Sequence, residues 1–288
     1  MGPVTVKELS TELPGGLRDA DGVLRRDFRF RPLTGALELA LAEAAAGPAS
    51  HPERVSRVLA GALESLAGAG PDLERVRQLS VGDRQFLMLA LSARVDDTDV
   101  WLTGSCSECA EPFDTAYRPS ALPVKPAGEG YPAREVTTSC GRVRVRAPTG
   151  ADQEAIADLG DEQAALERLL ARLVQPLGVD PQAMPSAFDA DAVSLIEATV
   201  EAMVPEVAGE LDLRCPHCGA DQRVATDPYV VLQRPVGELF AQVHRLAAAY
   251  HWSEREILDL PRHRRETYLS LIDRSRGMHS ADALPGAS

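Results

Sequence analysis

Lysine is almost missing from this chain: Lys7 and Lys125 are the only two, and nearly all of the positive charge is arginine. Together with the abundance of alanine, this reflects a GC-rich coding sequence and carries no chemistry. Positive charge is scarce overall. Lys and Arg number 30 against 43 Asp and Glu, giving a formal net charge of −13 and a pI near 5.0. That balance excludes a general polyanion binder, because phosphate affinity is driven by clustered cations. Long apolar runs are also lacking. None approaches the roughly 18 residues of a membrane span, and the polar start Met1-Gly2-Pro3-Val4-Thr5-Val6-Lys7 does not read as a signal peptide. The expectation is a cytoplasmic protein with no membrane span. Aromatics make up only 5%, so a core must be built mostly from Ala, Leu and Val. With 44% hydrophobic and 25% charged residues over 288 positions, disorder throughout is excluded, and the length fits two modest domains or one large one. No glycine loop resembles a phosphate cradle, and neither Ser105 nor Ser139 sits in a nucleophile elbow. The pairs Asp96-Asp97 and Asp189 with Asp191 read as turns or helix starts, so no enzyme is expected.

What is present is a succession of short elements. Residues 1–32 read as an N-terminal hairpin or extended arm, with Asp21-Gly22 at the turn and Asp27-Phe28-Arg29-Phe30-Arg31 alternating as a strand does. Residues 33–95 read as a helical region. Thr34 caps a helix through Leu37, Leu39 and Leu41 that Gly47-Pro48 stops, and a second helix carries Val55, Val58, Leu59, Leu63 and Leu66 at spacings of three and four. Ser80 and Asp83 have capping-box spacing before a short buried helix through Phe86, Leu87, Leu89 and Leu91. Residues 96–118 form a first hairpin, and 119–148 a Pro-rich connector with a hairpin around Ser139-Cys140-Gly141 in which Cys140 is structural. Residues 149–208 are a helical insert interrupted by Pro176, Pro181 and Pro185. Residues 209–227 repeat the first hairpin's layout, 228–276 are C-terminal helices opened in part by the capping box Ser253-Glu254-Arg255-Glu256, and 277–288 are a flexible tail.

Five cysteines without an export signal argue against a disulfide framework. Four of them fall into two Cys-x-x-Cys pairs, Cys106-Ser107-Glu108-Cys109 and Cys215-Pro216-His217-Cys218, each between strand-like segments. Zinc prefers four thiolates in a tetrahedron, and each such turn converges two sulfurs while nearby amides offset their charge. The expected site is therefore one structural Zn²⁺ on Cys106, Cys109, Cys215 and Cys218, closed to catalysis because no coordination position stays open. The alternatives are metal-free vestigial knuckles and a thiol-redox pair, the latter lacking its usual βαβ setting. Gly219 follows the second pair and permits a left-handed backbone, whereas Ala110 occupies that position in the first, making that turn less ideal. The fold class that results is α+β: helical bundle segments around a small zinc-ribbon-like β-module formed by two separated knuckles, with the helical insert budding from it. His217, inside the second knuckle, reads as solvent-facing; His244 and His251 read as ordinary surface or core-edge residues, and His51 and His279 give no signal. Arg262-His263-Arg264-Arg265 is the densest basic cluster; in an acidic chain it reads as an exposed helical face suited to protein before nucleic acid.

Several separated segments together resemble the baseplate hub assembly proteins, or chaperones, of contractile phage tails and related contractile injection systems. The resemblance spans roughly residues 14–272. It rests on Asp21-Gly22-Val23-Leu24 leading to Pro32-Leu33-Thr34-Gly35, on Asp83-Arg84-Gln85-Phe86-Leu87, on both cysteine pairs, and on Tyr250-His251-Trp252-Ser253-Glu254-Arg255-Glu256-Ile257-Leu258 followed by Pro261, Arg264-Arg265 and Tyr268-Leu269. It implies a non-enzymatic protein that helps build the baseplate hub, or stays within it in the assembled particle, with other tail proteins as partners and zinc in the knuckles. Ser107, Glu108 and Ala110 depart from the proline and glycine expected in the first knuckle. The rival reading is a zinc-ribbon regulator using Arg264 and Arg265 on nucleic acid, and the third a thiol oxidoreductase.

Overall fold

The computed structural model describes residues 4–7, 11–139, 141–178, 188–233 and 236–281. In chain order the elements are β1 (Val4–Thr5), β2 (Glu12–Arg18), β3 (Leu24–Phe30), α1 (Gly35–Ala46), α2 (His51–Ala62), β4 (Leu63–Leu66), α3 (Leu73–Arg77), α4 (Val81–Val95), β5 (Val100–Ser105), β6 (Pro112–Tyr117), β7 (Pro123–Lys125), β8 (Ala133–Thr138), β9 (Gly141–Arg146), α5 (Gly150–Ile156), α6 (Glu162–Leu173), β10 (Val174–Pro176), α7 (Ala190–Met203), β11 (Glu206–Val207), β12 (Glu210–Arg214), β13 (Asp221–Ala225), α8 (Gly237–Tyr250), α9 (Glu254–Leu258) and α10 (Arg262–Ala281). Every strand pairing among the described residues is antiparallel. Helices are interleaved with these short antiparallel sheets along the chain, and the class is mixed α+β.

The chain divides into two compact units, residues 1–30 with 48–231, and 31–47 with 232–288. In the first, β2, β3 and β4 form one sheet, and β8, β9 and β10 another that packs α7 around Val143, Val145, Ile196 and Met203. The N-terminal hairpin turns where Asp19 accepts the amides of Asp21 and Val23 and Gly22 takes φ +78°. The second helical stripe ends earlier than its spacing predicts. α2 stops at Ala62, and Leu63 and Leu66, both fully buried, belong to β4, where they pair with Phe30 and Phe28. Two leucines three apart fit a helix stripe or the ends of a four-residue strand equally well, and pairing with β3 decides the matter. The helix after Ser80 is also longer than expected, with 15 residues. Ser80 Oγ accepts the Asp83 amide at 3.1 Å, but the Asp83 carboxylate turns to β2, where it receives the amides of Gly15 and Gly16 at 2.8 and 3.2 Å. The capping box is thus half made, and Asp83 anchors a strand instead. Cys140 lies outside the described residues; the strands on either side of it pair as expected, with Gly141 at φ +114°.

The second unit holds α1, α8, α9 and α10, with Leu246, Ile257, Leu269 and Ile272 in its core. Arg265, read as exposed, is fully buried and ion-paired with Glu38 at 2.5 Å. Arg262 also reaches Glu38, at 3.5 Å. Two of the three clustered arginines are thereby committed inside the unit. The segment 277–288, read as a tail, begins within α10, which runs to Ala281.

One local arrangement occurs once in each unit. A five-residue helix, α3 or α9, is followed two residues later by Leu79 or Leu260, then by Ser80 or Pro261, then by a long helix. A Thr-Gly-Ala helix start bridges back to that loop, Thr149 to Ser80 and Thr34 to Pro261. The amides of Gly150 and Gly35 donate to Leu79 and Leu260 at 3.1 and 3.3 Å, and those of Val81 and Arg262 to Pro148 and Leu33 at 3.1 and 3.2 Å. Four residues past each bridge stands a fully buried arginine, Arg84 or Arg265, over the glycine.

Candidate metal centre

Both Cys-x-x-Cys pairs sit at the turns of β-hairpins whose registers are superimposable. Ser105 opposes Pro112 at the mouth of the first turn, and Arg214 opposes Asp221 at the same step of the second. The amide of Cys106 donates to Glu111 at 3.0 Å and that of Ala110 to Cys106 at 3.0 Å; the corresponding bonds from Cys215 to Ala220 and from Gly219 to Cys215 are 2.8 and 2.9 Å. The residue after each second cysteine is left-handed, Gly219 at φ +77° and Ala110 at φ +60°. The first turn therefore adopts the same path as the second despite its Cβ, and the strain at Ala110 is of order 1 kcal/mol. In each turn an amide two residues on, Glu108 or His217, donates to the first cysteine's sulfur at 3.4 Å.

The hairpins bring together all four predicted cysteines, whose sulfurs lie within 4.8 Å of one another. Cys106 Sγ is 3.7 Å from Cys218 Sγ, and Cys109 Sγ 3.8 Å from Cys215 Sγ. A tetrahedral ion with bonds of about 2.3 Å to sulfur requires sulfur–sulfur edges of about 3.8 Å, which these two distances match. Cys106 and Cys215 are buried, Cys109 half-buried and Cys218 exposed. The Cys218 amide, ahead of the opposing effect of burial and with help from the His217 amide, lowers the Cys215 thiol to about 6. The Glu111 amide pulls Cys109 the same way, but burial and the neighbouring sulfurs outweigh it and push that thiol up to about 12. Four sulfurs this close cannot all ionise without a compensating charge, and a divalent cation supplies one. The residues present could hold a metal ion.

Further contacts tie the hairpins together. Gln222 accepts the Ser107 amide at 3.0 Å and donates to the Ser107 hydroxyl at 3.2 Å. A proline at 107, like Pro216 in the other knuckle, would have no amide to give. The Tyr117 hydroxyl donates to the Asp227 carbonyl and accepts the Asp227 amide, both at 3.2 Å. Phe113 fills the space between the turns with Cys106, Cys215, Leu213 and Val224. Gly104 leaves room for its ring, since a Cβ there would lie 3.2 Å from it. His217 is exposed, as expected, and its Nε2 lies 3.1 Å from the Pro112 carbonyl. His244 and His251 are exposed and outside the cluster. Asp189 caps α7 through the Ala192 amide at 2.8 Å, and Asp97 bonds Ser120, so both acidic sites are turn and helix-start residues. Gln222 and Ser107 were missed by sequence reasoning: a Gln in a strand and a Ser in a turn carry no signal until the hairpins, 115 residues apart, are seen side by side.

Among the described residues, no helix is long and apolar enough to cross a membrane. No protein-family model, curated protein or solved structure matches the chain.

Proposed function

We propose that the chain is a non-enzymatic assembly or structural component of the baseplate hub of a phage-tail-like contractile injection system, its two hairpins clasped by one structural Zn²⁺ as a zinc-ribbon-like module. The protein acts in the cytoplasm during assembly and can remain in the finished particle. The contractile-apparatus assignment rests on the family resemblance of the sequence segments. The observation that supports an interaction role is on the clasped module. Trp101, on the outer face of β5, is 70% exposed, with Thr103 and Ser105 beside it. The matching position of the repeated hairpin is Glu210, on a face whose charges neutralise one another through Arg223–Asp212 at 3.3 Å and Arg214–Asp221 at 3.5 Å. The hairpin architecture itself therefore tolerates a solvated, charged face, and a tryptophan there serves something else. Large rigid aromatics of this kind dominate the energy of protein interfaces.

Purification of the tagged chain from cells producing the apparatus, with mass spectrometry of what accompanies it, tests the reading. Hub and baseplate proteins are expected to copurify and to be lost, by at least tenfold, from Trp101→Ala, while that variant keeps its metal and its fold. Absence of any baseplate protein from the wild-type preparation contradicts the assignment.

A further inference from the structure

We propose that the four thiols are also a redox site: a peroxide closes them into two disulfides that cross between the knuckles, Cys106–Cys218 and Cys109–Cys215, expelling the metal while the hairpins stay clasped. Four cysteines allow three pairings. The geometry selects one of them. The two cross-knuckle pairs are already in contact, at 3.7 and 3.8 Å, within a cluster whose four sulfurs all lie within 4.8 Å of one another. Within each knuckle the turn is held by its own backbone bonds and by the amide that reaches the first sulfur. Joining sulfurs of the same turn would have to work against those bonds. Joining sulfurs of opposite turns needs only a further approach of two hairpins that Gln222, Phe113 and Tyr117 already hold face to face.

The order of events follows from exposure. Cys218 is the exposed residue of the four and its contact partner Cys106 is buried. The Cys218 thiolate attacks one peroxide oxygen, the O–O bond breaks, and a sulfenic acid and hydroxide result. The Cys106 thiolate then attacks the sulfenic sulfur, the S–O bond breaks, and a second hydroxide leaves as the disulfide forms. The same sequence joins Cys109 to Cys215. In sum, four thiolates give up four electrons, two peroxide molecules become four hydroxides, and the divalent ion loses its ligands. The outcome differs from that of an ordinary structural site, where oxidation unties what the metal held. Here one clasp replaces another, and each covalent loop encloses more than 100 residues of the chain.

The inference rests on the metal-clasp reading for its expulsion step, and the experiment separates the two. Reduced, purified Cys140→Ser protein is analysed for metal, then titrated with hydrogen peroxide in the presence of a chromogenic zinc chelator. Disulfides are mapped by mass spectrometry of a non-reducing digest. The expected result is release of the bound zinc in step with loss of the four thiols, and a map in which Cys106–Cys218 and Cys109–Cys215 exceed the other pairings by at least tenfold. A map dominated by Cys106–Cys109 and Cys215–Cys218, or irreversible sulfinic acids without disulfides, overturns the proposal. Absence of metal before oxidation bears on the metal reading alone, since the map is made in either case. Cys109→Ser/Cys215→Ser in the Cys140→Ser background, which retains only the Cys106 and Cys218 thiols, must still form its single cross-link if the pairing is correct.

Discussion

Ala110 and Gly219 stand at equivalent turn positions with φ +60° and +77°. A Cβ in that backbone region costs about 1–2 kcal/mol, and Gly219→Ala is expected to destabilise the protein by that amount. Ala110→Gly relieves the strain already present but loosens the unfolded chain, for a net gain of about 0.5 kcal/mol. Chemical denaturation of the metal-loaded proteins reads both signs. Asp152 offers a second test at the same scale. Burial alone would raise its carboxyl, but Arg146 at 2.6 Å, the Thr149 amide and Arg172 hold it well below the usual carboxylate range. A depressed folded pKa stabilises fully above the unfolded value, about pH 4, and that stability disappears as the pH falls from there through the folded value. Asp152→Asn is expected to remove this acid dependence and to cost about 2–3 kcal/mol at neutral pH, less than a fully buried pair because both arginines are about one-third exposed. Thermal melts between pH 2 and 7 compare the two proteins. The left-handed need of the knuckles was legible at Gly219 and hidden at Ala110, because alanine there fits the turn only with the strain that the hairpin imposes.

The repeated arrangement around Arg84 and Arg265 differs in how closely each arginine lies over its glycine. A Cβ on Gly150 would fall 2.2 Å from the Arg84 guanidinium, which is fully buried and held by Ser56 and the Pro52 carbonyl. A Cβ on Gly35 would meet Arg265 no closer than 3.0 Å. Gly150→Ala is therefore expected to cost about 1–3 kcal/mol and Gly35→Ala clearly less, as measured by the shift in denaturation midpoint. Equal effects would remove the reason for glycine at 150. Helix starts at Thr34, Ser80, Asp189 and Ser253 and the hairpin turn at Asp19 to Gly22 are visible in the sequence because capping and turn chemistry is local. The end of α2 is not, since it depends on Leu63 and Leu66 finding β3. Nor is the company α1 keeps, since α8, α9 and α10 lie at the other end of the chain. The recurrence of Thr-Gly-Ala at 34–36 and 149–151 was the one sequence trace of the shared arrangement.

For the whole molecule, the central question is what holds together two hairpins separated by about 105 residues. Loop-closure entropy grows only with the logarithm of length, while a structural zinc supplies apparent binding energy of about 10–16 kcal/mol, so a distant partner is no obstacle. The four cysteines that the fold brings together could be read from the sequence because each Cys-x-x-Cys turn is local and its strands pair with their neighbours. The hydrogen bonds that align the turns, Ser107 with Gln222 and Tyr117 with Asp227, were out of reach because they join residues that only the fold brings near. Elemental analysis of the untagged protein, purified under reducing conditions alongside Cys215→Ser/Cys218→Ser, addresses the clasp most directly. One zinc per chain is expected in the wild type, and its loss together with cooperative unfolding of the two hairpins in the variant. A wild-type protein that carries no metal and folds as stably as the variant would contradict it.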